Sequence, residues 1–242
     1  MAVLVRLAVV LAVFSSSVGF SDENYWSEFS SPWKTDAKYI FFGGLGLAIF
    51  LKQATPDFVE STQRTWTRDR PLGDDSKYGD YFGQGIPNIF YVIGMGSHYY
   101  LTRSEKSAQR SLYMLKTSLY STVLTHAMKL AWQDPRPDNP SQKDSFPSGH
   151  TTAAFAFASS VGMEHGVYWG TLSYLAATYA GFSRINDNKH RLSDVVAGAA
   201  IGVSYGIGLY QYVHGEDKSK TAFAVLPSDD LDGVVVNYWR SH

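Results

Sequence analysis

Apolar runs separated by short polar clusters dominate the chain and predict helices. Tyr39 to Leu51, Ile86 to Leu101, Leu112 to Trp132, the Ala/Phe-rich stretch from Thr151, Val167 to Phe182 and a last apolar stretch opened by His190 each read as one helix. This predicts an all-α fold, a bundle of about six core helices. Ser21 to Ala37 reads as a polar and aromatic surface segment, and Thr102 to Arg110 as a basic turn. Lys52 to Gly85 is a long polar connection, expected to hold short helices and to cover a functional site. Near the end, Ala222 to Leu226 and Val234 to Tyr238 flank a Pro-Ser-Asp-Asp-Leu-Asp-Gly turn and predict a short β-hairpin.

The polar clusters fall at alternate helix junctions, and this predicts that they meet at one end of the bundle. Lys129 lies near the end of one helix, and Pro135 and Pro137 stop it, pinning Arg136 in a stiff turn. Pro147-Ser148-Gly149-His150 opens the next helix, where free backbone N–H groups and the positive dipole end suit an anion. Glu164-His165-Gly166 reverses the chain, and Ser183-Arg184 closes the returning helix. His190 and Asp194, four residues apart, are expected on one face of the last helix, where the carboxylate can fix the imidazole tautomer. Each cluster alone also has a plain reading: a basic helix end with a proline stop, a serine cap, an ordinary i,i+4 polar pair. Together they supply three cations, two histidines, a carboxylate and a Ser-Gly turn, an inventory for gripping a phosphate and breaking its ester bond.

The three clusters match in order and spacing a three-part signature: Lys, six residues, Arg-Pro; Pro-Ser-Gly-His; Ser-Arg, five residues, His, three residues, Asp. In this the chain resembles the type 2 phosphatidic acid phosphatase superfamily, which includes bacterial acid phosphatases and vanadium haloperoxidases. The resemblance implies metal-independent phosphomonoester hydrolysis through a phosphohistidine. In that scheme His190 is the nucleophile, Asp194 orients it, and His150 is the acid and then the base. Lys129, Arg136, Ser148, Gly149 and Arg184 hold the phosphate. No His-Glu-x-x-His pattern or carboxylate-rich loop occurs, so no metal or other cofactor is expected. His126, one turn before Lys129, could approach the site, although a half-buried histidine is the ordinary reading.

The length of 242 residues suits one domain. Residues 1–19 read as a secretory leader, with Arg6 before an apolar centre and Ser17-Val18-Gly19 at the cleavage site; 20–242 then form a single phosphatase domain with its motif core at 129–194. The net charge of −1 gives no attraction to nucleic acid, and the absence of cysteine excludes disulfides. The expected partner is a phosphorylated lipid or a small phosphomonoester, for an exported protein associated with a membrane. Membrane features conflict. Arg103, Lys106 and Arg110 lie opposite the expected mouth, as the positive-inside rule asks, and Gly198, Gly202 and Gly206 form a small-residue stripe. Several runs are short for a bilayer, however, and the mean hydropathy is −0.16. A cleaved leader also places the new N-terminus outside, where a six-span relative needs it inside. Alternatives are a broad-specificity soluble exported acid phosphatase, a phosphotransferase, a vanadate-dependent haloperoxidase and a non-catalytic lipid-phosphate binder.

Overall fold

The computed structural model describes residues 25–215, 223–227 and 234–238; the leader lies outside them. In chain order the elements are α1 (Tyr25–Phe29), α2 (Ser31–Lys34), α3 (Ala37–Ala54), α4 (Pro56–Asp69), a 3-10 turn (Gly73–Asp75), α5 (Ser76–Gly83), α6 (Ile86–Thr102), α7 (Glu105–Trp132), α8 (Gly149–His165), α9 (Val167–Asn186), α10 (Leu192–His214), β1 (Phe223–Pro227) and β2 (Val234–Tyr238). The two strands pair antiparallel, with Val225 opposite Val236. The fold is all-α, as the apolar pattern predicts, with α3, α6, α7, α8, α9 and α10 as the six long helices.

Several boundaries differ from the sequence reading. The expected basic turn at 102–110 is reduced to Arg103 and Ser104, and α7 runs for 28 residues from Glu105. Arg103 takes the left-handed conformation at φ 57° to cap α6, and Ser104 begins the next helix at once. The expected surface segment around residues 25–34 is instead docked. Glu28 is buried and accepts from Lys116 Nζ at 2.8 Å and Tyr120 Oη at 2.7 Å. Phe29 and Trp33 pack on Phe41, Tyr120, Tyr205 and Leu209, so their aromatic surface serves the core rather than solvent. The long polar connection is largely helical: α4 spans 14 residues and α5 eight.

Small residues set how closely the site-bearing helices approach. A Cβ on Gly198 would come within 2.5 Å of the Ser148 carbonyl, and one on Gly202 within 2.5 Å of the Thr152 carbonyl. The glycine stripe of α10 therefore faces the backbone of α8 and holds the Ser-Gly-His turn against the helix that carries Asp194. Ala154 and Ala158 of α8 meet Ala177 and Ala180 of α9 in the same close fashion. Large apolar side chains point outward elsewhere, among them Phe42 and Phe50 of α3, Phe90 and Leu101 of α6, and Tyr168 and Leu175 of α9.

Candidate active site

All three polar clusters meet at one end of the bundle. Gln133, left-handed at φ 48°, ends α7 just past Lys129. The 133–147 loop then folds back on itself: Arg136 N–H donates to the Gln142 carbonyl and Ser145 N–H to the Asp134 carbonyl, at 3.0 and 2.9 Å. A two-pronged ion pair clips it, Arg136 Nε to Asp144 Oδ1 at 2.7 Å and Nη2 to Oδ2 at 2.9 Å. Lys129 Nζ donates to the Asp144 main-chain oxygen. The hydrogen bonds from Arg136 hold the Asp144 carboxyl below the usual carboxylate range.

Ser148 caps α8. Its fully buried hydroxyl oxygen accepts from Thr151 N–H at 3.4 Å and from Thr151 Oγ1 at 3.0 Å. Its own N–H donates to the Asp194 carbonyl at 3.0 Å, tying the second cluster to the third. His150, in the first turn, places Nε2 3.1 Å from Asp80 Oδ1. Arg184 is buried in the last turn of α9. It pairs through Nη1 with Asp80 and through Nη2 with Asp187 at 3.1 Å.

His190 does not open the last helix as the i,i+4 spacing suggested. It sits in the preceding loop, because Arg191 is the N-cap and α10 starts at Leu192. The Arg184 carbonyl fixes that loop by accepting from the N–H groups of Lys189 and His190, at 2.9 and 3.2 Å. Asp194 stands at the third helical position, and its Oδ2 accepts the Arg191 N–H at 2.9 Å in a capping box. His190 Nδ1 lies 3.7 Å from Asp194 Oδ2, longer than a hydrogen bond, and 3.4 Å from Ser145 Oγ. Ser145 Oγ in turn donates to Asp194 Oδ2 at 2.6 Å. Burial lowers the His190 pKa against the opposing pull of Asp194, so the ring is neutral near pH 7.

A cavity of about 680 Å³ opens over these groups and is lined by Lys129, Arg136, Asp144, Gly149, His150 and His190, with His126 and Leu130 at its edge. Ser148 and Asp194 stand behind it, fully buried. Arg184 and Asp80 line a neighbouring cleft of about 530 Å³ together with Arg70 and Lys77. Three residues outside the signature thus take part in the site's contacts: Asp80, Asp144 and Ser145. Asp144 and Ser145 directly precede the Phe146-Pro147 step. Asp80 lies in the long connection, where Gly79 and Gly83 four apart were the available signal.

The sequence profile of the PAP2 superfamily matches residues 110–218. A lipid A 1-phosphatase from Porphyromonas gingivalis is 38% identical over 86 residues, which is 34% of this chain; the chain spans 19% of that relative's length. In three dimensions the chain is similar to a transmembrane PAP2 type phosphatidylglycerolphosphate phosphatase from Bacillus subtilis, with a TM-score of 0.59 at 16% identity, covering 79% of this chain and all of that one. That likeness concerns the fold. The profile match encloses Lys129, His150, His190 and Asp194 alike, so the similarity to the PAP2 superfamily extends over the segment that carries all three clusters.

Proposed function

We propose that this chain is a phosphatase that hydrolyses a lipid phosphate through a phosphohistidine on His190, without need of a metal, within the single domain expected of residues 20–242. The observation that carries the reading is the convergence of His190, His150, Lys129 and Arg136 on one cavity, with Asp194 buried behind His190. The Ser145 hydroxyl, itself held by Asp194, takes Nδ1 of His190, which leaves Nε2 as the attacking atom. Nε2 forms a bond to phosphorus while the bond from phosphorus to the leaving oxygen breaks, and His150 gives that oxygen a proton. Water then attacks phosphorus, its proton passes to His150, and the P–N bond breaks. Lys129, Arg136, the Gly149 N–H, Ser148 and Arg184 would hold the phosphate and offset the charge developed in the in-line transition state.

A lipid substrate is favoured by the outer surface. Phe42, Phe50, Phe90, Leu101, Tyr168 and Leu175 are each more than half exposed, and large apolar side chains facing outward on three helices suit contact with lipid. Leu130, 76% exposed, lines the cavity, so an apolar side chain stands beside the site. Among the described residues α10 alone is long and apolar enough to cross a membrane, and 72% of its apolar window is buried in the bundle. The named relatives act on a lipid A phosphate and a phosphatidylglycerolphosphate, which agrees with a lipid substrate here. Export and an active mouth on the outer side of the membrane are parts of the same proposal.

The test is phosphate release in chelator by wild type and His190→Ala, with phosphatidic acid in micelles and a water-soluble alkyl phosphate side by side. Release from the lipid, lost in the variant, is the expected result. A preference for the soluble ester would favour the exported acid phosphatase instead, and equal release by both proteins would remove His190 from the mechanism.

A further inference from the structure

Asp80 lies outside the three-cluster signature, yet it touches two of its members. Helix α5 turns Gly79, Asp80 and Gly83 toward α8 and α9. A Cβ on Gly79 would sit 2.6 Å from Ser183 Oγ, and one on Gly83 2.7 Å from the His150 Cβ. These two glycines let α5 press against both signature segments and deliver the carboxylate between them. Asp80 Oδ1 then lies 3.1 Å from His150 Nε2 and pairs with Arg184 Nη1. Its Oδ2 accepts from Gln84 Nε2 at 2.8 Å, which fixes the rotamer.

We propose that Asp80 is a positioning residue for His150: it takes the Nε2–H, so that Nδ1 is the nitrogen that exchanges a proton with the substrate. The inference rests on the phosphatase reading above. In the first step the Nδ1 proton goes to the leaving oxygen as that oxygen takes the electron pair of its bond to phosphorus. In the second, a water proton goes to Nδ1 as the water oxygen bonds to phosphorus and the P–N bond breaks.

The charges around His150 explain why such a partner is needed. Arg184 on α9 and Arg136 and His190 on the loops all act on His150, Lys129 on α7 lines the same cavity as the ring, and Asp144 is already committed to Arg136. Burial and the Arg184 charge push His150 down to about 4, and Asp80 pulls the other way. An acid must start protonated, and the carboxylate in contact with the ring is what favours the imidazolium. A bound phosphate adds to that pull from the cavity side.

Asp80→Asn keeps the hydrogen-bond acceptor and removes the charge. Compared with wild type it should lose about 100-fold in kcat/KM on an alkyl phosphate and under about tenfold on p-nitrophenyl phosphate, whose leaving group needs no acid. The alkaline limb of its pH profile should move to lower pH, and adding Asp80→Asn to His150→Ala should cost nothing further. Equal losses on both substrates with an unmoved limb would reduce Asp80 to a structural clamp on Arg184 and overturn the proposal. NMR titration of His150 in the full chain in detergent needs no turnover: its pKa should fall by about one unit in Asp80→Asn. An unchanged titration overturns the proposal even if wild type hydrolyses nothing, whereas the absence of phosphate release would count only against the phosphatase reading.

Discussion

His190 Nδ1 and Asp194 Oδ2 stand 3.7 Å apart, and the Ser145 hydroxyl fills the gap between them. The hydroxyl donates to the carboxylate at 2.6 Å and is placed to accept from the ring at 3.4 Å. A relay of this form sets the tautomer of His190 through a third side chain. His190→Ala is expected to abolish turnover. Asp194→Asn should lower kcat by about 1,000-fold with KM little changed, and Ser145→Ala by about tenfold, because Asp194 then has to act across an open gap. Steady-state kinetics on the three variants checks the order.

The buried ring also has a pH signature. Attack requires neutral His190, and its pKa is lowered by burial, so the acid limb of kcat/KM should lie below the ordinary histidine value of about 6.5. Asp194 opposes the shift, so Asp194→Asn should move the limb lower still. The sign for stability follows the same way. Below about pH 6.5 the unfolded chain binds a proton that the folded ring resists. This contribution is therefore complete above that pH and is lost as pH falls toward the folded pKa. Melting temperature against pH, in wild type and His190→Ala, measures it.

Asp144 holds the guanidinium of Arg136 in a fixed plane, which on the proposed function readies it for the phosphate. Preorganised donors cost no reordering at the moment of reaction. Arg136→Ala should lose about 100- to 1,000-fold in kcat/KM, and Asp144→Ala about tenfold, mostly in KM because the loop has lost its clip. Since the Asp144 carboxyl is held below its ordinary value, the pair should persist through mildly acid solution and open only below about pH 4. Rates of amide exchange across residues 133–147 would report that opening.

The glycine stripe of α10 offers a stability test remote from the chemistry. A Cβ at Gly202 would lie 2.5 Å from the Thr152 carbonyl and 2.7 Å from the Ala156 N, backbone atoms that cannot rotate away. Gly202→Val should therefore destabilise by about 3 kcal/mol or prevent folding, as overpacked cores do. Gly43, inside α3 with open space around its position, should accept alanine and gain up to about 1 kcal/mol from helix propensity. Thermal unfolding of the two variants in the same detergent checks the contrast.

The apolar runs and the order of the polar clusters made the bundle and its mouth legible, because alternate helix ends must meet when short turns join them. Lys129, Arg136, His150 and His190 stood out because the order and spacing of the three clusters match the signature of a known family, whereas each cluster alone had a plain reading. The register of His190 could not: whether it opens a helix or precedes one depends on Arg191 serving as the cap, and the i,i+4 interval fits both. Phe29 looked like part of a surface segment because the rings it packs against, Tyr120 and Tyr205, are distant in sequence. Asp80 and Ser145 were hidden for the same reason, since each acquires its meaning only from a residue more than forty positions away.

The central claim is a covalent bond between phosphorus and His190, and rapid-quench trapping tests it most directly. Wild type mixed with a phosphate-labelled substrate, quenched in alkali and digested, should carry an alkali-stable, acid-labile phosphoryl group on the peptide that contains His190. No such peptide should appear from His190→Ala. Label on a different residue, or steady turnover with no labelled peptide at any quench time, would contradict the account.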